Sequence, residues 1–477
     1  MMARILFIIP PITEKIWSNH YYEIYLGIAY IAARLRLEGH KVSVIDCDAT
    51  HTTLSALKRH IRKCVPDIVG ITALYGSLDN AFKAAEATKQ NSKATVVLGG
   101  LPATFLAEEV LKCNSIDIAV RGEGEETFSE IGAGKELSKI AGLSYKKSGK
   151  IVHNPDRQHI TDLDKLGIPL REIFPLKKYK IQFKMHNSTA IETTRGCPYG
   201  CEFCTQQPKE GKILRYRSPE MVIRELKGVT KYRFIKRIMI VDNDFLTNQK
   251  HAREILEKIV QEGLNKRFYY MFATRVKNMM GFDLGLAKRA NVQTIFFGIE
   301  SMSEKHRKEI GKIESMDATA GLFRRLEENG IDTLPSYMIG YADETEKDIQ
   351  KTLDFAIRLN SRLFSFNILT PYPGTRYFKD CRLKRLLLHT DYNEYDNAHK
   401  VVKHKLDLEK TFRSMHRQYM FRPGYFSTIR PGNIFKRQGG GRIAVFLHYV
   451  IFMEAAAISR SIKRIVKGLF SKLCFET

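Results

Sequence analysis

The stretch Arg195-Gly196-Cys197-Pro198-Tyr199-Gly200-Cys201-Glu202-Phe203-Cys204 sets three cysteines in the spacing C-x3-C-x2-C, with no fourth cysteine nearby. Three thiolates can hold three irons of a four-iron, four-sulfur cluster and leave the fourth iron open. An open iron binds a substrate or cosubstrate as well as passing electrons. The competing readings are a structural zinc site, a disulfide, or chance. Structural zinc closes with four ligands. A disulfide framework suits small secreted chains, and this chain has 477 residues.

Downstream of the cysteines, apolar runs alternate between strand and helix periods. Strands are expected at 190–194, 237–242, 268–274, 293–299, 332–339 and 364–369, and helices at 219–232, 250–262, 281–290, 317–329 and 346–358. Ser218 before Pro219 is a helix entry, an N-cap followed by proline at the first helical position. Six βα units predict a partial (β/α)6 TIM-type barrel over 190–375, with its site at the strand C-terminal ends. Those ends are polar or glycine-bearing: Val241-Asp242-Asn243-Asp244-Phe245, Ala273-Thr274-Arg275, Phe297-Gly298-Ile299-Glu300-Ser301, Met338-Ile339-Gly340-Tyr341, and Thr370-Pro371-Tyr372-Pro373-Gly374.

Upstream, strand patterns at 4–9, 41–46, 67–74, 94–98 and 117–120 alternate with helical ones at 24–38, 54–63, 78–90, 103–112 and 125–131. Five such units over 1–140 predict a doubly wound, flavodoxin-like (Rossmann-type) α/β domain that binds its ligand beyond the strand carboxyl ends. Thr72 and Ser77 follow the third strand, Gly99-Gly100 ends the fourth, and Gly122-Glu123-Gly124 follows the fifth. Glycines there admit a bulky ligand closely, and hydroxyls can bond its amides or phosphate. Residues 141–189 read as a linker, with a hairpin around Ser148-Gly149.

Together these segments resemble the cobalamin-binding (class B) radical S-adenosylmethionine (SAM) enzymes. The resemblance implies a [4Fe-4S] cluster on Cys197, Cys201 and Cys204 whose open iron chelates SAM. It puts Phe203 near the adenine, Asp242 and Asn243 at the SAM amino group and Arg275 at the carboxylate. Gly298 belongs to the segment in which Glu300 or Ser301 reaches the ribose, and the Gly340 segment backs the adenine. Thr72, Ser77, Gly99, Gly100, Gly122, Glu123 and Gly124 would surround cobalamin. The Asp-x-His-x-x-Gly sequence that places a histidine beneath cobalt in mutases is missing, and Trp17, His20, Tyr21 and Tyr22 have the wrong spacing for it. The resemblance therefore implies cobalt without a protein imidazole, or a degenerate domain.

The implied activity is reductive cleavage of SAM, with methylation of an unactivated carbon on a small-molecule or lipid substrate. The electron donor would be a flavodoxin or ferredoxin. The flavodoxin-like domain should dock over the barrel mouth to shield the radical. Rearrangement or cyclisation by the same machinery is one alternative. Methylthiolation of tRNA or protein is a second, although Cys47, Cys64 and Cys113 form no second cluster motif. A basic membrane- or nucleic-acid-binding protein with a vestigial cluster is a third, and the ordered strand-end motifs argue against it.

The net charge of +25 favours an anionic partner. The isolated cysteines read as reduced thiols of a cytoplasmic protein, and the N-terminus lacks the pattern of a signal peptide. Residues 376–477 form a basic, mainly helical region. Its aromatic residues, among them Tyr419 and Phe421, follow no nucleic-acid motif, so nucleic acid is not an expected partner. Gly439-Gly440-Gly441 precedes an apolar run at 443–458 and a basic amphipathic stretch. This tail fits either an interfacial helix at the inner face of the membrane or a packed helix.

Overall fold

The computed structural model describes residues 2–12, 24–179 and 187–422. The loop holding Trp17 to Tyr22 and the tail beyond 422 lie outside the described residues, so the expectations placed there stand apart from the fold. Among the described residues, no helix is long and apolar enough to cross a membrane.

The first sheet is built from β1 (Arg4–Ile9), α1 (Leu26–Leu37), β2 (Lys41–Asp46), α2 (Leu54–Cys64), β3 (Ile68–Ala73), α3 (Leu78–Asn91), β4 (Thr95–Gly100), α4 (Leu101–Phe105), α5 (Ala107–Lys112), β5 (Ile118–Val120) and α6 (Glu125–Gly132). Its five parallel strands run in the order β2-β1-β3-β4-β5, the flavodoxin order. The apolar run of β1 explains the two-sided cover. Ile5, Phe7 and Ile9 enter one core, while Leu6 and Ile8 enter the other.

Two expectations change here. The helix expected at 103–112 is broken at Leu106, where the backbone leaves helical values, beside the contact of Phe105 with Gly374. The hairpin read as part of a linker, β6 (Leu143–Lys147) and β7 (Lys150–His153), instead pairs antiparallel with β5 and extends the sheet to seven strands. It covers the edge that a three-residue β5 would leave open.

The second sheet comprises β8 (Asn187–Ile191), a two-residue ribbon of β9 (Thr194–Arg195) and β10 (Arg215–Tyr216) that flanks α7 (Gln206–Glu210), then α8 (Pro219–Val229), β11 (Ile235–Ile240), α9 (Gln249–Gln261), β12 (Tyr269–Thr274), α10 (Val276–Met279), α11 (Leu284–Arg289), β13 (Val292–Glu300), α12 (Glu304–Glu309), α13 (Met316–Glu328), β14 (Asp332–Ile339), α14 (Glu346–Leu359) and β15 (Ser365–Ile368). Its order is β15-β14-β13-β12-β11-β8, all parallel, an open half-barrel. Ser218 caps α8 by accepting from the Met221 amide at 3.2 Å, ahead of Pro219. β8 ends at Ile191, and 192–195 leave the sheet to form the stem of the cysteine loop.

The chain then closes over both units. α15 (Arg376–Leu383) and α16 (Leu408–Met420) follow β15. Tyr75 of the first domain donates its hydroxyl to the Pro373 carbonyl at 3.0 Å and stacks on Tyr372 at 5.4 Å. Asn393 donates to Asp79 at 2.8 Å.

A buried charge network supports the join between the domains. Glu225 lies between Arg171 and Arg217, and all three side chains are almost sealed from solvent. Arg217 also donates to the Tyr30 hydroxyl of α1 at 3.2 Å. Breaking a buried pair by removing one partner costs about 3–5 kcal/mol. Glu225→Ala should therefore lower the urea midpoint of unfolding by an amount corresponding to about that loss, while Arg36→Ala, which removes an exposed pair with Glu172, should leave it nearly unchanged.

Candidate cluster and cofactor site

The cysteine loop hangs from the β9–β10 ribbon, where Arg195 faces Arg215 and Thr194 faces Tyr216. Gly196 has φ +96°, and a Cβ there would stand 2.2 Å from the Ile213 carbonyl oxygen. Only glycine fits this stem. The Cys197 amide donates to the Gly211 carbonyl at 3.0 Å, and Gln207 Nε2 donates to the Tyr199 carbonyl at 2.9 Å, so α7 closes the loop.

The three thiols are partly buried and sense one another. Burial, with the other two cysteines adding, pushes Cys204 up to about 11, and burial likewise raises Cys197. Burial thus favours the thiol at Cys197 and Cys204, and bound iron would supply the charge that makes them thiolates. Among the described residues, no three His, Cys, Asp or Glu side chains converge on one ion. A cluster does not need that convergence, because each cysteine meets a different iron. The donor set therefore fits a four-iron cluster with one iron open.

The strand ends largely brace this loop. Asp242 accepts from the Thr193 amide at 2.7 Å, the Thr194 amide at 3.2 Å and both threonine hydroxyls. Burial pushes its carboxyl up to about 6. Asn243 Nδ2 donates to the Gly196 carbonyl at 3.2 Å and to Glu210 at 2.7 Å. Both are residues expected at the SAM amino group, and these contacts fix the bend that leads into Cys197. Arg275 was expected to fork onto the SAM carboxylate. Its guanidinium lies 4.1 Å from the centre of the Tyr199 ring and donates to the Ile310 and Gly311 carbonyls at 2.8 and 3.1 Å. Its Nε is buried without a partner.

At the end of β13 a register shift against β14 between Gly298 and Glu300 turns Glu300 to φ +70°. A non-glycine residue there carries about 1–3 kcal/mol of strain. Lys312 holds it, reaching Glu300 at 2.7 Å and the Gly298 carbonyl at 2.6 Å. A Cβ on Gly298 would stand 2.4 Å from the Glu300 carboxylate. Ser301 donates to Glu344 at 3.3 Å, and Glu344 accepts from the Gly340 amide at 2.6 Å. Gly340, at φ +98°, lies against Leu408 of α16. Phe203 packs on the aromatic cluster that contains Tyr75, Tyr341 and Tyr377, under the C-terminal segment.

A cavity of about 380 Å³ opens between the two sheets. Thr72, Gly99, Gly100, Gly122, Glu123 and Gly124 line its first-domain side, and Glu192, Arg195 and Glu210 line the side of the cysteine loop. The first domain thus docks on the barrel end that carries the cysteines. At Gly27, Gly99 and Gly122 nothing lies within 4 Å of where a Cβ would sit, so the glycines keep these walls thin. A roomy, mostly apolar cavity with glycine walls fits a broad macrocycle such as cobalamin. Among the described lining residues there is no histidine. Ser77 was expected in this wall but does not line the cavity. It is buried in the turn after β3, bonded to the Leu74 amide and carbonyl. Glu123 does line the cavity, but its oxygens are committed to Arg195, Arg215 and the Ile160 amide. Lys312, Arg195, Arg215 and Glu210 were not singled out from the sequence, since each acts across the fold.

Burial pushes the Glu344 carboxyl up from 4.5 to about 7. The folded state therefore holds this proton more tightly than the unfolded chain. The contribution is fully present below 4.5 and is lost as pH rises toward 7. Glu344→Gln should flatten the fall of the urea midpoint across that interval.

The B12 binding domain family matches residues 20–132, and the Radical SAM superfamily matches residues 191–356. An uncharacterized methyltransferase of Pyrococcus horikoshii is 36% identical over 83% of this chain and 88% of its own. The anaerobic magnesium-protoporphyrin IX monomethyl ester cyclase of Rubrivivax gelatinosus is 27% identical over 79% of this chain and 69% of its own. The fold matches the radical SAM methyltransferase TsrM of Kitasatospora setae, solved with cobalamin and a [4Fe-4S] cluster, with a TM-score of 0.73 at 16% identity over 96% of this chain and 100% of that one. With both domains matched in order, on the side of a shared cavity that the cysteine loop also faces, the chain belongs to the cobalamin-binding radical SAM family.

Proposed function

We propose that the protein is a cobalamin-dependent radical SAM methyltransferase acting on a carbon of a small molecule. The single observation that carries this reading is the shared cavity, walled on one side by the strand ends of the B12-type domain and on the other by residues that frame the cysteine loop. When bound, the cluster and SAM supply a deoxyadenosyl radical, and cobalamin supplies the methyl group.

In this reading Cys197, Cys201 and Cys204 hold the cluster. The Thr193–Asp242 and Gly196–Asn243 contacts fix the loop they stand on. Glu300, aimed by the bulge and by Lys312, and Ser301 present oxygens toward the SAM ribose. Arg275, whose guanidinium stands on the Tyr199 ring of the cysteine loop, is the residue assigned to the SAM carboxylate. Gly27, Gly99 and Gly122 give the corrin room to approach the backbone. The closing C-terminal segment and its tyrosine cluster keep water from the site.

Cyclisation is the second reading, favoured by the Rubrivivax relative. A flavodoxin or ferredoxin is the expected reductant. The free cysteines suit a reducing cytoplasm, and the basic sequence beyond residue 422 suits contact with an anionic membrane face.

Anaerobic reconstitution should give the broad brown absorption of a cluster with about four irons per chain, and the protein should retain hydroxocobalamin through gel filtration. Cys201→Ala should abolish deoxyadenosine formation from SAM under reducing conditions. Deoxyadenosine formation without any cobalamin retention would remove the methyltransferase reading and leave the radical chemistry. Persistent activity in Cys201→Ala would remove the cluster assignment.

A further inference from the structure

Arg195 stands two residues before the first cluster cysteine, separated from it only by Gly196. Its guanidinium is almost sealed from solvent, and its three nitrogens meet three carboxylates: Glu123 at 3.3 Å, Glu125 at 2.7 Å and Glu192 at 2.8 Å. Two of these acids follow β5 and belong to the first domain. All three line the cavity, and so does Arg195 itself. Arg215, its partner across the ribbon, reaches the same Glu123 at 2.7 Å. The ring of Tyr30 from α1 lies between Arg195 and Arg217, 5.7 and 5.8 Å from their guanidinium carbons.

A second tie runs in parallel. Glu210 also lines the cavity and accepts from the Gly196 amide at 3.2 Å and from Asn243 at 2.7 Å. The wall of the cavity and the stem of the cysteine loop are therefore one hydrogen-bonded object. A surface clamp would hold the domains together anywhere along the seam. This one joins the acids behind the glycines of the cavity to the residue that aims Cys197. The Gly196 amide is tied to Glu210 and its carbonyl to Asn243, so the stem has little freedom to take up a change locally. A buried guanidinium also cannot release one carboxylate without exposing an unpaired charge. A shift of the loop must then be passed to Glu123 and Glu125.

We propose that Arg195 is a positioning residue that couples the two cofactor sites, so that filling the cysteine loop with its cluster changes the affinity of the cavity for cobalamin, and the reverse. The proposal rests on the function reading above. A cluster bound on the loop would fix 197–204 and with it Arg195, whose ion pairs to Glu123 and Glu125 hold the 122–125 wall. Because coupling is reciprocal, cobalamin in the cavity holds the loop in its iron-bearing shape.

The test is a binding cycle on the full chain under anaerobic conditions, with hydroxocobalamin as the probe. Its dissociation constant is measured before and after cluster reconstitution. The wild-type protein should bind at least ~5-fold more tightly when the cluster is present, and bound hydroxocobalamin should slow the loss of iron to a chelator. In Arg195→Lys and Glu125→Gln the ratio of the two constants should fall toward one, even where the constants themselves shift. Equal affinity in the two wild-type forms overturns the coupling and leaves the function reading intact. A ratio that survives in both variants overturns the role of Arg195, as does loss of iron uptake in both, which would mark it as a strut only. Absence of hydroxocobalamin binding in every form overturns the coupling together with the methyltransferase reading.

Discussion

Guanidinium groups withdrawn from water must find carboxylates within hydrogen-bond reach, and that requirement organises this molecule. Arg195, Arg215, Arg217 and Arg171 are all buried, and their acids come from different parts of the chain: Glu123 and Glu125 from the first domain, Glu192 from the end of the strand that delivers the cysteines, and Glu225 from α8. A buried ion pair is weak evidence of stability, since desolvation offsets much of its attraction. Its strength is geometric. Charges this deep tolerate few arrangements, so the docking of two sheets is specified at the place where their ligand-bearing ends meet.

Within that frame the barrel side of the site is arranged as supports rather than as free ligands. Asp242, Asn243, Asp244 and Arg275 stand at strand ends, where a barrel places its chemistry, yet each spends hydrogen bonds on the loop and its neighbours. Asp244 accepts from Thr274 at 2.7 Å and from Asn278 at 2.8 Å, and Asn278 in turn donates to the Tyr199 hydroxyl at 2.7 Å. The cysteines are thus braced from β11 and β12 together. Three soft ligands on a loop need such bracing to meet a cluster of fixed size.

Much of this was legible in the sequence, because the signals were local. The apolar run of β1 and the β-branched alternation of β2 mark both strands to the residue, and the cysteine spacing identified the loop. Less legible were features decided by partners distant in the chain. Nothing near 143–153 tells that the hairpin will extend the first sheet. The reason lies in the shortness of β5, about two dozen residues earlier. The local pattern marks Ser77 as a hydroxyl after a strand, but not the turn in which it bonds the Leu74 amide and carbonyl. Lys312 sits in a loop with no periodicity, and only the turned carboxylate of Glu300 reveals its purpose. For Glu123 the sequence shows a place after β5 but not its ion pairs to Arg195 and Arg215, which come from the other domain.

Phe105 and Gly374 form a lock between domains. A methyl group on Gly374 would stand 2.4 Å from the Phe105 ring, and the glycine has φ +91°. The two positions lie far apart in the chain, yet residue 374 cannot gain a side chain while residue 105 is phenylalanine. A chimaera that joined this first domain to a barrel bearing any side chain at 374 would have its interface held open by a single collision.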